Sequence, residues 1–481
     1  MAQTYNSISG NRVLVNNQFQ PATVYIENGK IARITHNQID PQAKSFGDLL
    51  VLPGLVDAHV HLNEPGRTDW EGFETGTKAA AAGGVTTVVD MPLNAIPPTT
   101  TVENFETKLK ASTGQCWVDV AFWGGLIPSN VNDLVPLLER GVRGFKCFLI
   151  ESGVEEFPHV ELPTVEAAMR KLQGTKSVLM FHAELDCGEH LNHLALTPQE
   201  IRDEAEEHAD ATKEAEAEGK SVDDVLHRRR VQYYKNFVSS RPDKWEVDAL
   251  EGVTQLGRKI PDVNLHIVHL ASAEALPILE KAKQDGVPIT AETCFHYLSL
   301  ASDSIPDNTI YKCCPPIRSQ NNHNQLWDAL TNGLITSIVS DHSPCTPDLK
   351  LLDIGDFSRA WGGIASVGLG LTILNTENRG RLPFELISHL TSKAPAQQAG
   401  LDHIKGEIKE GLDADFCVFD PNAEWVFENA NMVFKNKQTT YDGRKVRGRV
   451  VTTVLRGQHI YESGHPFDAP VGKTITEPRT H

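Results

Sequence analysis

Eight short apolar runs, rich in β-branched residues, recur through the middle of the chain and leave it few ways to fold. They are LLVLPGLVDAHVHL (49–62), VTTVVDMP (85–92), VDVAFWGGL (118–126), GFKCFL (144–149), SVLMFHA (177–183), NLHIVHL (264–270), PITAETC (288–294) and LITSIVSD (334–341). The runs are continuous rather than alternating, which implies burial on both faces, as in a parallel sheet. Segments of helical character separate most of them, at 70–82, 133–140, 164–172, 247–256 and 273–283. Eight such units match the count that closes an α/β fold into a (β/α)8 TIM-like barrel. The same alternation could form an open doubly wound sheet; the distribution of polar residues, below, favours the barrel.

The two ends have another texture. RVLVNN, ATVYIENGKI and ARITHN alternate apolar and polar residues, with Asn28-Gly29 as a hairpin signal. ADFCVFDP, WVFENA and RVVTTVLRGQHIYESG repeat the pattern near the other end. We therefore expect a small β-rich domain built from 1–52 plus 405–470, and a barrel over 53–404; two separate small β units would read the same way. Residues 199–230 are highly charged and alanine-rich, and read as a solvated helical excursion between strands five and six.

Composition excludes several classes of function. The formal charge is −18, from 63 acidic against 45 basic residues, so neither nucleic acid nor an anionic membrane surface is an expected partner. No run of about eighteen apolar residues is present. Eight cysteines, none in a CxxC pair, fit a reducing compartment, and with no visible secretory signal the expected location is cytoplasmic.

The chemistry sits at the ends of the apolar runs. His59 and His61 lie two apart, and alternate residues of a strand share a face. Lys146 lies in GFKCF, His182 in MFHAE, His269 in HIVHLAS and Asp341 in IVSDHSP. Barrel active sites are built at that edge of the sheet. Taken singly, each residue is more often a hydrogen-bonded interior histidine, a snorkelling lysine or a capping aspartate. Six polar groups at equivalent strand ends, each costing several kcal/mol to desolvate alone, instead point to a shared metal centre. An ammonium cannot ligate, but a buried lysine of depressed pKa can take up CO₂ as an anionic carbamate able to bridge two cations. Histidine donors suit Zn²⁺, with Mn²⁺, Co²⁺ and Fe²⁺ as alternatives. His266, three residues from His269, is expected to face the other side as a structural residue; His342 is expected to point away from Asp341.

PGLVDAHVHLNEPGR (53–67), the barrel lysine, the later histidines, SDHSP and GEIKEGLDADFCVFD (406–420) resemble the cyclic amidohydrolase branch of the amidohydrolase superfamily, over about residues 10–465. Within it, NEPGRTDWEGFETGTKAAAAGG, DMPLN, ETCFHYL, CCPPIR and AWGGIAS are most similar to allantoinases; Phe295 stands where proline is common. Dihydroorotases carry an arginine where this chain has Asn63, and hydantoinases typically lack the EPGR turn. The resemblance implies two divalent metals, Zn the first choice, on His59, His61, N6-carboxylated Lys146, His182, His269 and Asp341. It also implies hydrolysis of allantoin to allantoate by a hydroxide shared between them, in purine and ureide catabolism, with Asp341 as acid and base. A neutral cyclic ureide needs hydrogen-bonding partners rather than a cationic clamp, a need that Asn63, Asn94 and backbone near Pro316 could meet. Arg67, in the same turn, reads as a structural partner of a nearby acid. The family is homo-oligomeric, commonly tetrameric. The alternatives are a hydantoinase, dihydropyrimidinase or dihydroorotase, and a metal-free assembly protein of the same fold; the complete ligand set argues against the last.

Overall fold

The alternating N-terminal residues form β1 (Ser7–Val15), β2 (Gln18–Glu27) and β3 (Lys30–His36), followed by the short β4 (Lys44–Ser45) and β5 (Leu50–Pro53). Left-handed pairs turn the hairpins: Asn16 and Asn17 between β1 and β2, and Asn28 (φ 53°) with Gly29 (φ 79°) between β2 and β3. Positive φ at both central residues matches the right-handed strand twist. The computed structural model describes residues 3–186, 188, 209–465 and 469–480.

After Gly54 the chain enters the barrel. Its strands are β6 (Leu55–Val60), β7 (Val85–Asp90), β8 (Asp119–Phe122) continued past Trp123 by β9 (Gly124–Gly125), β10 (Phe145–Phe148), β11 (Val178–His182), β12 (Asn264–Ile267), β13 (Ile289–Cys294) and β14 (Ser337–Val339). All eight apolar runs thus become strands, and their pairings are parallel. Every residue of β6, β7, β10 and β11 is buried, as continuous apolar runs require. The sheet closes where His61 N donates to His342 O at 2.9 Å and Ser340 Oγ donates to His59 O at 3.2 Å. Helices Phe73–Ala82, Leu134–Arg140, Leu162–Leu172, Asp243–Lys259 and Leu276–Gln284 occupy the expected connections.

The chain then returns to the first sheet through β15 (Phe416–Val426), β16 (Lys445–Leu455) and β17 (Gln458–Glu462). The order β17-β16-β15-β5-β1-β2-β3, with β4 against β1, makes one sheet of strands from both ends. It encloses its own apolar cluster, including Ile8, Val24, Val51, Phe416 and Val454. Gly54, between this sheet and the barrel, could not carry a Cβ, which would meet the Thr86 side chain at 2.2 Å. Residues 469–480 add a contact that alternation did not signal, running back beside β8 with Ile475 N bonded to Val120 O at 2.8 Å.

Of the charged excursion, 199–208 lies outside the described residues. Its remainder is helical over 209–218 and Val222–Gln232, with Ala211, Ala215 and Val225 forming a small seam. Among the described residues no helix is long and apolar enough to cross a membrane.

Candidate metal centre

The six residues, from the ends of five strands, meet inside the barrel mouth. His59 and His61 project to the same side of β6, their rings 5.5 Å apart. Lys146 Nζ stands 3.0 Å from His59 Nε2, and Asp341 Oδ1 stands 3.2 Å from His59 Nε2 and 3.6 Å from His61 Nε2. His182 Nδ1 lies 3.0 Å from His269 Nε2, and the rings of His59 and His269 are 5.3 Å apart. His59, His61 and Asp341 each bring one donor atom within 4.8 Å of the others, a buried group able to hold a metal ion.

Two of the six reach the centre by leaving β geometry. His269 (φ 38°) and Asp341 (φ 43°) are left-handed, as is Asn63 (φ 62°). Such conformations cost about 1–3 kcal/mol each for residues other than glycine and persist where the surroundings enforce them. The same departure corrects the expectation for His266. It does not face away but points into the barrel, where Nε2 meets Glu292 Oε2 at 3.0 Å and Nδ1 meets Thr290 Oγ1 at 2.7 Å. His269 joins the centre because β12 has already ended at Ile267.

Each partner of the histidines fixes which nitrogen is left over. Glu292 Oε1 accepts from His59 Nδ1 at 2.5 Å, and the Leu93 carbonyl accepts from His61 Nδ1 at 2.8 Å. Glu184 Oε2 accepts from His182 Nε2 at 2.6 Å and is itself held by Arg241. With those hydrogens placed, the lone pairs of His59 Nε2, His61 Nε2 and His182 Nδ1 face the centre, the orientation metal-ligating imidazoles need. Burial, then the nearby Lys146 charge, lowers His59 to about 4; burial drives His269 well below its ordinary value. Both rings are therefore neutral donors at neutral pH. Burial lowers Lys146 to about 8 despite the carboxylates beside it, within range of a nucleophilic amine. Neutral imidazoles, an ionised aspartate and a deprotonable lysine, all buried, fit divalent cations.

A cavity of about 360 Å³ opens onto this group. His61, Lys146, His182, His269 and Asp341 form its floor, and Asn94, Arg241, Lys312, Cys313, Cys314 and Trp361 stand around it. Asn94 is on the cavity, whereas Asn63 is 1% exposed and sits behind it, accepting from Asn94 Nδ2 at 3.2 Å. Arg67 holds the Asn94 carbonyl at 2.5 Å and pairs with Glu156. Pro316 is buried; beside it the Pro315 carbonyl is taken by Tyr297 OH at 2.7 Å and Ile317 N by Tyr234 OH at 2.8 Å. From that segment it is Cys313 and Cys314 that reach the cavity. His342 bonds Glu71 at 3.0 Å and accepts from Ser366 N and Val367 N, behind the barrel wall.

Glu292, Glu184 and Arg241 were not singled out from sequence. A signal existed for two of them: a glutamate inside the buried run PITAETC, and another two residues after His182, on the same face. Phe295, the departure from the family pattern, packs on Gly370, where a Cβ would stand 2.0 Å from its ring.

A buried histidine and aspartate centre at one mouth of a parallel barrel is the architecture of metal-dependent hydrolases. The chain belongs to the amidohydrolase family, whose model matches residues 50–460. It is 46% identical to an allantoinase of Saccharomyces cerevisiae, over 98% of this chain and 99% of that protein. It is 47% identical to a protein of Aquarana catesbeiana named "Allantoinase, mitochondrial", over 84% of this chain and 77% of that one. Among solved structures, the L-hydantoinase (dihydropyrimidinase) of Arthrobacter aurescens superposes with a TM-score of 0.85 at 25% identity, covering 98% of this chain and all of that one.

Proposed function

We propose that this chain hydrolyses the cyclic amide of allantoin, giving allantoate. The observation that carries the reading is the convergence of six donor groups, the tautomers of His59, His61 and His182 already fixed, in a chain matching an allantoinase from end to end. His59, His61, Lys146, His182, His269 and Asp341 would hold two divalent cations, Lys146 as its CO₂-derived carbamate, and the histidine-rich set suits Zn²⁺. Bound there, such cations supply an acidified water at neutral pH and polarise a carbonyl oxygen.

The protein's own groups do the rest. Asp341 is held well below the ordinary carboxylate range although burial acts to raise it, so it is ionised and can take a proton. It then gives that proton to the departing ring nitrogen, serving as base and next as acid. Ser343 Oγ donates to Asp341 Oδ1 at 2.9 Å and keeps the carboxylate turned. Asn94, steadied by Asn63 and Arg67, offers hydrogen bonds to a neutral ureide. Arg241 is neutralised by Glu184, and Lys312 Nζ donates to the Ala360 carbonyl at 2.6 Å, so neither is an idle clamp for an anionic substrate.

The test is to assay the purified, metal-analysed protein on allantoin, hydantoin and dihydroorotate side by side. Allantoin should be preferred by kcat/KM; preference for hydantoin would replace the reading with that of the structural neighbour. We also read 1–52 with 405–470 as one folding unit beside 53–404, supported by an apolar cluster, Ile8, Val24, Val51, Phe416 and Val454 among its members, drawn from those two segments alone. Homo-oligomerisation follows from the same family reading, and a cytoplasmic location from the sparse cysteines, none in a CxxC pair; light scattering and fractionation test those two statements.

A further inference from the structure

His296 is fully buried, yet neither of its ring nitrogens has a hydrogen-bond partner among the described residues. A buried histidine with two idle nitrogens is costly, since each lost bond leaves a desolvated polar atom. Such a group calls for an absent partner. Its surroundings indicate which. His296, Cys294 at the end of β13 and Asp341 place one imidazole nitrogen, one sulfur and one carboxylate oxygen within 4.8 Å of one another. In a tetrahedral site with metal–ligand bonds of about 2.0–2.3 Å, donors stand about 3.3–3.8 Å apart, so a closure of no more than about 1.5 Å completes the arrangement.

We propose that Cys294, His296 and Asp341 form a second cation site, behind the catalytic one, for a thiophilic divalent cation of the Zn²⁺ or Cd²⁺ kind, and that filling it inhibits the enzyme. Sulfur, imidazole and carboxylate together select soft and borderline cations over Mg²⁺ or Ca²⁺. On binding, the Cys294 S–H bond breaks, its proton leaves to water and an S–metal bond forms; no electron is transferred. A thiolate, not a thiol, binds the cation, so uptake releases a proton and strengthens as pH rises. Entry runs through the cavity that Asp341 lines. Inhibition follows because Asp341 already gives one carboxylate oxygen to the catalytic centre, and a cation on the other leaves no oxygen to carry the proton, a clause that rests on the function proposed above.

The experiment titrates Cd²⁺ into the metal-loaded holoenzyme, following the ultraviolet Cd–thiolate band and turnover together. The catalytic donors include no cysteine, so the band reports this site even if Cd²⁺ exchanges into the catalytic one. One further equivalent should bind with the band and with loss of turnover. Cys294→Ser should abolish the band, and both it and His296→Gln should raise the Cd²⁺ needed for half-inhibition at least about tenfold; Cys314→Ser, on the cavity wall, should keep the band. No band in the parent, or a band that survives in Cys294→Ser and disappears in Cys314→Ser, overturns the site. Failure of the parent to hydrolyse allantoin would overturn the functional reading instead, and the band would still judge the site.

Discussion

Replacing Glu292 by glutamine exchanges one oxygen for an NH2 group and should loosen the whole centre. The Glu292 carboxylate is fully buried, and it accepts from His59 Nδ1 at 2.5 Å and from His266 Nε2 at 3.0 Å. Burial would push it up, but His59 and His266 outweigh that and hold it at about 2, so it works as a double acceptor. An amide of the same shape accepts on one side only and turns an N–H toward the other histidine. If that is His59, the ring must either leave a buried donor unpaired, at about 1–3 kcal/mol, or move its hydrogen to Nε2, which removes the lone pair from the centre. Outer partners of metal-bound histidines commonly govern 10–100-fold in affinity, about 1.4–2.7 kcal/mol, so the two routes agree in size. The assay is metal content after dialysis against a graded chelator, with turnover measured as metal is returned. Glu292→Gln should lose metal at about ten- to a hundredfold lower chelator concentration and recover turnover in excess metal. Retention within twofold of the parent would refute the tautomer argument.

Other expectations follow from the same geometry. Asp341→Asn should lower kcat by about 10²–10⁴-fold with substrate binding little changed, and near-normal turnover would remove the residue from proton transfer. Lys146→Ala should lose activity and regain part of it when a short carboxylic acid is added, since the acid can replace the carbamate; no rescue with metals bound would count against carboxylation. Lys405 is buried between Asp119 and Asp415, at 2.7 Å from each, and Asp413 at 2.9 Å. Lys405→Met should cost about 3–5 kcal/mol in urea unfolding, because it strands buried carboxylates. Burial pushes Asp413 up, but Lys405 and Lys30 outweigh it and hold it below its ordinary 3.8. A depressed carboxylate stabilises the fold above that value and loses the contribution as pH falls through the folded pKa. The Lys405→Met penalty should therefore shrink below about pH 4, and a penalty independent of pH would show that Asp413 is not coupled to Lys405.

The strands were legible because their signal is local. A buried parallel strand must be apolar on both faces, so each run of the barrel and each hairpin of the terminal sheet announces itself within about ten residues. The residues of the centre were legible for a related reason: polar residues at the ends of such runs have no bland explanation when six recur. Asn63 shows where that reasoning stops. Two asparagines near the strand ends look alike in sequence, and only the fold puts Asn94 on the cavity with Asn63 as its support.

The sequence alone determined the barrel, the sheet made from both ends and the identity of the residues at the centre, since periodicity and composition act over neighbouring positions. The tertiary structure decided what those residues can do. His59 takes its tautomer from a glutamate 233 positions away, His182 takes its own from Glu184 under the hold of Arg241, and His269 enters the centre only because its backbone turns left-handed. A histidine's donor nitrogen is set by whichever group stands against the other one, and that group is chosen by packing across strands, which no local pattern records.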